Sequence, residues 1–202
     1  FHQFKTFWDN DLLYKGAYIV QWCTKDGTAI EDIEMEYQEK KETLYFVKYE
    51  IRARGKGQGA RDCITIATAR PETISADVAI AIYPEHPEFK KFVGQEAQNP
   101  FTGKLIPIIE DERVQKDFGT GALKITPGHD MLDYEIGLAH GLPILHAIGK
   151  DGKITDLDPD LVGLKIDEAR KKAAGKLKDL GLIEKEEEYT HSIPVCERSG
   201  TT

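Results

Sequence analysis

The stretch Gly119-Thr120-Gly121-Ala122-Leu123-Lys124-Ile125-Thr126-Pro127-Gly128-His129-Asp130-Met131-Leu132-Asp133-Tyr134 reads as a turn, a strand and the start of a helix. Two glycines around Thr120 suit a tight turn. Residues 122–126 have the β-branched composition of a strand, and Asp130 stands where a helix over 131–140 needs its N-cap. Gly141 ends that helix. Lys124 and Thr126 are two apart on a strand and so face the same side. Asp130 and Asp133 are three apart at a helix start and share a face. An amine, a hydroxyl and two carboxylates therefore gather at one turn, where they can hold an ammonium group and a hydroxyl. The same residues also have purely structural readings: Asp130 as a helix cap, Lys124 as an ion-pair partner, the glycines as an ordinary turn.

Upstream, Thr68-Ala69-Arg70-Pro71-Glu72-Thr73 closes a strand over 63–68. Pro71 fixes the turn, so that Arg70 and Thr73 can project towards a common point. Working outward, the spacing predicts a helix over 4–14, short strands over 17–22 and 33–37, and strands over 44–51, 78–83 and 105–109. A short helix is expected near 88–93. The clearest helix spans 167–180, with Ile166, Ala169, Ala173, Leu177 and Leu180 on one face and Gly181 behind it. Residues 52–61 carry Arg52, Arg54, Lys56 and Arg61 among three glycines and read as a solvated hairpin tip. The acidic run 184–188 reads as a solvated strand edge or turn. Many short strands with few helices place the chain in the α+β class, as a β-barrel or tightly curled sheet with peripheral helices. The strands and helices do not alternate regularly enough for a doubly wound sheet.

The chain has 202 residues, of which 40% are hydrophobic and 31% charged, which argues against disorder. No apolar run is long enough to span a bilayer, and no signal peptide is evident, so no membrane partner is expected. The net charge of −8 removes charge as an argument for gripping a nucleic-acid backbone. Three cysteines, far apart, make no disulfide scaffold and fit a reducing, cytoplasmic setting. An opening on Phe1, directly in a helical pattern, reads as a piece of something larger.

One echo links the two ends. Cys23-Thr24-Lys25-Asp26-Gly27-Thr28 is matched by Cys196-Glu197-Arg198-Ser199-Gly200-Thr201. Two Cys-x-x-Cys knuckles here would make a four-thiolate zinc site, but Asp26 and Ser199 replace the second cysteines. A serine hydroxyl is a weak ligand, so the turns are expected without a metal. The echo also predicts that the ends lie side by side as antiparallel connectors. Other chemistries lack their signatures: there is no nucleophile elbow, Walker loop or dinucleotide fingerprint. His129-Asp130 looks like the pair of metal-dependent phosphohydrolases, but His2, His86, His140, His146 and His191 show no supporting spacing.

Residues 68–73, then 118–127, then His129-Asp130 with Asp133-Tyr134-Glu135, resemble the editing domain inserted in valyl-tRNA synthetases. The resemblance covers nearly the whole chain, including Trp22-Cys23 and Pro194-Val195-Cys196. Departures are Ala69 where Thr is usual, Gly128 where Ala is usual, the run Ile74-Ser75-Ala76, and the incomplete knuckles. The resemblance implies connectors over 1–40 and 191–202 around an editing domain over 41–190. It implies hydrolysis of Thr-tRNA(Val), with Asp133 on the α-ammonium and Lys124, Thr126 and Asp130 on the threonine hydroxyl. Arg70 and Thr73 would line the pocket and position the terminal adenosine and the ester. Lys124, Asp130 and Asp133 form the implied catalytic set, and the two aspartates are open to exchanging roles. The implied partners are the threonine-bearing 3′ end of tRNA(Val) and the rest of a synthetase chain. No cofactor is implied here, because ATP belongs to a catalytic domain whose signatures, His-Ile-Gly-His and Lys-Met-Ser-Lys-Ser, this chain lacks. Editing by an isoleucyl- or leucyl-type enzyme, a non-hydrolytic module for aminoacylated 3′ ends, and a structural insert remain as alternatives.

The physics of the pair supports such a task. Valine and threonine are nearly isosteric, the familiar general case in which an apolar site discriminates only about a hundredfold. A second site that hydrogen-bonds the hydroxyl would leave buried polar groups unpaired against valine.

Overall fold

The computed structural model describes residues 1–52 and 62–201. In chain order it contains α1 (His2–Asp9), β1 (Trp22–Cys23), β2 (Thr28–Ala29), β3 (Met35–Arg52), β4 (Cys63–Thr68) and β5 (Ala79–Ile82). There follow β6 (Glu96–Gln98), β7 (Leu105–Glu110), β8 (Ala122–Ile125), α2 (Met131–Ala139), α3 (Ile166–Asp179) and β9 (Ile183–Cys196). Seven strands form one sheet in the order β4-β3-β6-β7-β5-β8, and β9 pairs with β3 off that path. The two ends of the order meet again: Thr120, just before β8, donates its hydroxyl to the Thr65 carbonyl of β4 at 2.6 Å. The sheet is thus a nearly closed barrel, and its helices are peripheral, as the α+β reading expects.

β3 is the long member and changes partner along its length. Its first part pairs with β9 from Met35↔Cys196 to Val47↔Ile183, its middle with β4, and its end with β6. The antiparallel β3–β9 ladder runs unbroken through Lys40↔His191 and Lys41↔Thr190, so the ends of the chain are side by side. The two echoing turns close with the same bond, Gly27 N–H to the Cys23 carbonyl and Gly200 N–H to the Cys196 carbonyl, each 2.8 Å.

The core follows the strand alternation. Val47, Tyr49 and Ile51 of β3 meet Ile64 and Ile66 of β4 and Ile106 and Ile108 of β7 inside the barrel, with Leu177 of α3 added from outside the sheet. β5 is buried on both faces, and its sequence shows why. Ile80 and Ile82 fill the barrel, while Ala79 and Ala81 give α2 room to seat Ile136. α3 packs a stripe of Ala169, Ala173 and Leu177, has Asp167 and Glu168 in its first turn and Lys176 and Lys178 in its last, and so complements its own dipole.

Several expectations need correction. The helix predicted over 4–14 is His2–Asp9, and none of its residues is buried, so burial of an apolar face does not extend it. The strand predicted over 17–22 survives only as Trp22–Cys23. The predicted segments 33–37 and 44–51 are a 3-10 turn at Asp32–Glu34 and one 18-residue strand. The acidic run 184–188 is, as read, a solvated stretch of strand: it lies exposed within β9, where Lys41 meets Glu188 at 2.9 Å and Lys178 meets Glu186 at 2.8 Å. The helix near 88–93 is a 3-10 turn at Lys90–Phe92. β6 was not expected, and the turn read at Pro71 is a fully buried 3-10 turn that continues to Ala76. The hairpin tip read at 52–61 lies, beyond Arg52, outside the described residues.

Gly119 has φ of +62°, and a Cβ there would lie 2.8 Å from the Ala67 Cβ. Gly119→Ala is therefore expected to cost about 1–3 kcal/mol in urea unfolding. Gly175→Ala, on α3 with no atom within 4 Å of the added Cβ, should instead stabilise by about 0.5–1 kcal/mol. Equal effects at the two positions would contradict this account of the turn.

Candidate functional site

The turn at Pro71–Ala76, the entry to β5, strand β8 and the start of α2 converge on one buried ammonium. Lys124 Nζ donates to Thr126 Oγ1 at 2.6 Å, Thr73 Oγ1 at 3.0 Å and Asp77 Oδ1 at 3.1 Å. The Thr126 hydroxyl donates to the same Asp77 oxygen at 2.7 Å, and the Tyr49 hydroxyl donates to Asp77 Oδ2 at 2.6 Å. The Thr73 hydroxyl donates to the Arg70 carbonyl at 3.0 Å, which fixes its orientation towards Lys124. Each of these groups is buried, and each has a partner, as a polar cluster in a barrel wall requires.

Asp133 sits beside this cluster. Its Oδ2 accepts from the Thr126 backbone N–H at 2.8 Å, and its own N–H donates to Asp130 Oδ1 at 3.1 Å. Burial pushes the Asp133 carboxyl up to about 7, against the opposing pull of Lys124, while the charges of Asp130 and Asp77 add to the rise. Burial also raises Asp77, opposed by Lys124 and by the hydrogen bonds it accepts. The two aspartates of α2 are thereby told apart: Asp133 is buried and strained in charge, whereas Asp130 is exposed and caps the helix. The capping reading of Asp130 therefore holds in the structure alongside its place on the cavity.

All the residues singled out in the sequence, Arg70, Thr73, Lys124, Thr126, Asp130 and Asp133, line one cavity of about 430 Å³. Apolar wall comes from Leu44, Val114, Ala122 and Leu123. Phe118, Tyr189 and His191 add an aromatic face: Tyr189 and His191 stack at 4.7 Å, and Phe118 meets Tyr189 edge-on at 6.1 Å. Half-buried Arg70 is steered by its bond from Nη1 to the His129 carbonyl at 3.0 Å.

His129 also lines the cavity but is spent on structure. Its Nε2 accepts from the backbone N–H of Ala147 at 2.8 Å and of Ile148 at 3.3 Å. Burial first, then the charges of Arg70 and Lys124, lower it to about 3, so the ring is neutral and its acceptor nitrogen is used. The close approach needs Gly128, where a Cβ would lie 2.3 Å from the Leu145 carbonyl oxygen.

Sequence reasoning missed Asp77 and Tyr49. The available signal was a charge placed directly before the apolar run 78–82 and a hydroxyl on the inward side of β3, each unremarkable alone. At the other end of the molecule, sulfur and oxygen atoms of Cys23, Asp26 and Cys196 lie within 4.8 Å of one another, with Ser199 Oγ 3.2 Å from Cys23 Sγ. The degenerate knuckles thus do come together. Their donors comprise two thiols, a carboxylate and a weak hydroxyl, and none of these residues lines the cavity described above.

An acid raised in the folded state holds its proton where the unfolded chain has lost it. Its contribution to stability is present below about pH 4 and is lost as the pH rises through about 7. Asp133→Asn, which can still accept from Thr126, should remove this loss and gain up to about 4 kcal/mol on the unmodified chain at pH 8. Denaturant melts at pH 4 and pH 8 check this, and a variant less stable at both would contradict the burial argument.

Comparison with known proteins follows the same lines. The model of tRNA synthetases class I (I, L, M and V) matches residues 1–193. The chain is 43% identical over 98% of its length to a valine–tRNA ligase of Aquifex aeolicus, covering 18% of that protein. It is 44% identical over 95% of its length to the chloroplastic/mitochondrial valine–tRNA ligase 2 of Arabidopsis thaliana, covering 19% of it. The chain therefore spans about a fifth of the length of these relatives. In fold it is similar to the solved GlLeuRS-CP1, with TM-score 0.57 and 13% identity over 73% of this chain and all of that one. It is similar too to the LeuRS of an Agrobacterium radiobacter K84 LeuRS-tRNA-LeuAMS complex, with TM-score 0.54 and 20% identity over 76% of this chain and 20% of that one. Matched by the family model over nearly its whole length, the chain belongs to the class I tRNA synthetases (I, L, M and V).

Proposed function

We propose that this chain is the editing domain of a valine–tRNA ligase and hydrolyses the ester of threonine mischarged onto tRNA(Val). The observation that carries the proposal is a buried, fully partnered Lys124–Thr126–Asp77 cluster on a cavity whose other walls are largely apolar. A γ-methyl group fits apolar wall, whereas a hydroxyl can join the cluster. With the Lys124 donors and the Thr126 hydroxyl proton all engaged, the cluster's open sites are the second lone pairs of Thr73 and Thr126 Oγ1. A substrate hydroxyl can donate to one of these, whereas valine would seal it from solvent unfilled, a penalty of about 1–3 kcal/mol.

Asp133 takes the α-ammonium of the substrate. Its raised proton affinity favours such a ligand, since a cation beside the carboxyl restores the ionised form. Lys124 and Thr126 take the hydroxyl, Thr73 keeps Lys124 in place, and Asp130 at the rim supplies a second carboxylate for the hydroxyl or the attacking water. Arg70 and the aromatic face of Phe118, Tyr189 and His191 suit the phosphate-linked sugar and the base of a nucleotide. Water adds to the ester carbonyl as Asp130 takes its proton, and the tetrahedral oxyanion forms beside the Lys124 charge. The bond to the terminal ribose oxygen breaks as the carbonyl re-forms, and that oxygen takes up the proton. Orientation and a preorganised positive charge supply the acceleration, with no covalent intermediate on the protein. No step calls on a metal or a cofactor. The aminoacylation chemistry, and ATP with it, falls to the remainder of a longer synthetase acting in the cytoplasm. No helix among the described residues is long and apolar enough to cross a membrane.

The test is release of amino acid from Thr-tRNA(Val) and Val-tRNA(Val) by this chain and by the whole synthetase. Threonine should be released at least about tenfold faster, and Asp133→Ala should abolish the release. Binding of both without hydrolysis would leave a 3′-end binding module instead. Clearance of an isoleucyl- or leucyl-tRNA error in preference would move the assignment to those enzymes.

A further inference from the structure

Glu72 lies between two cavity residues, Arg70 and Thr73, yet its own side chain is fully buried. Its carboxylate is gripped by Arg170 of α3 in a two-bond fork, Nε to Oε2 at 3.0 Å and Nη2 to Oε1 at 2.8 Å. The remaining guanidinium nitrogen, Nη1, donates to Glu42 Oε1 on β3. Glu42 also pairs with Lys40 at 2.8 Å and accepts from His191 Nε2 at 2.9 Å. His191 stacks on Tyr189, and both rings line the cavity. The path Thr73–Glu72–Arg170–Glu42–His191 therefore begins and ends in the cavity lining, although it passes through a helix that is not part of it.

The contact is costly to bury and fully compensated. Burial alone would raise Glu42, but hydrogen bonds from Lys40 and His191 and the charge of Arg170 hold it at about 2. Burial likewise works against the Arg170 charge, and the two carboxylates more than offset it. A planar guanidinium with three nitrogens can hold two carboxylates at a fixed separation, which the point charge of an ammonium cannot do. α3 anchors that plane rigidly, because Ala169, Ala173 and Leu177 on neighbouring turns are fully buried.

The geometry points to Arg170 as a positioning residue of the hydrolytic site: it fixes the separation between the Arg70–Thr73 part of the lining and the Tyr189–His191 part. This role rests on the editing reading above and adds to it a residue that never touches the substrate. Arg170→Lys keeps the charge but loses the fork. It should lower kcat/KM for Thr-tRNA(Val) about ten- to a hundredfold, mainly through kcat, as misplacement of reacting groups does. It should also shift the imidazole NMR resonances of His191. In a double-mutant cycle with His191→Ala the two losses should fall short of additive, since both cut one connection. Additive losses, or unmoved His191 resonances with kcat/KM unchanged, would overturn the assignment. Glu42→Gln, which loosens one end only, carries the same comparison if Arg170→Lys does not fold. An unmodified chain that hydrolyses no ester would count against the editing reading alone. The His191 resonances then decide whether Arg170 sets the lining: a shift supports it, and none refutes it.

Discussion

The buried contact between Lys124 and Asp77 is the constraint on which the site depends. An ammonium within a barrel wall needs a carboxylate, and one Asp77 oxygen serves both Lys124 and Thr126 while the other accepts from Tyr49. Three strands are held to one geometry by this arrangement: Tyr49 on β3, Asp77 at the mouth of β5, and Lys124 on β8 with Thr126 directly after it. Removing the carboxylate would leave an unpaired charge, a loss on the order of 3–5 kcal/mol for a buried pair. The hydrophobic pattern agrees with that geometry. Ile80 and Ile82 lock β5 inside the barrel just beyond Asp77, and Ala79 and Ala81, alternating with them, admit α2, which brings Asp133 within reach of the Thr126 backbone.

Asp133 shows a site bought against stability. A carboxyl with its affinity for a proton pushed up to about 7 destabilises the folded chain at neutral pH, and only a cation in the cavity relieves it. The substrate of the proposed reaction carries such a cation. The exposed Asp130, three residues earlier, caps α2 and so orients the helix that carries Asp133.

Periodicity and turn chemistry made the barrel strands over 63–68, 79–82, 105–110 and 122–125 and both longer helices legible, because alternation and capping are local properties. Lys124, Thr126, Asp130 and Asp133 were legible for the same reason, lying on one strand and one helix start. α1 misled because an amphipathic pattern does not supply the surface it would pack on, and Phe4, Phe7 and Trp8 stay exposed. The length of β3 was hidden by its charged first part, which is held by pairing with β9 rather than by burial. Asp77 and Arg170 escaped notice because their meaning comes from partners 47 and 98 residues away, Lys124 and Glu72. No local pattern encodes such pairings.

The most direct test is calorimetric binding of two non-hydrolysable ligands to this chain: adenosine carrying threonine, or valine, through a 3′-amide. If the Lys124–Thr126–Asp77 cluster recognises a hydroxyl, the threonyl ligand binds at least about tenfold more tightly, and Asp77→Asn erases the difference. Equal affinities in the unmodified chain would contradict hydroxyl recognition by this cluster.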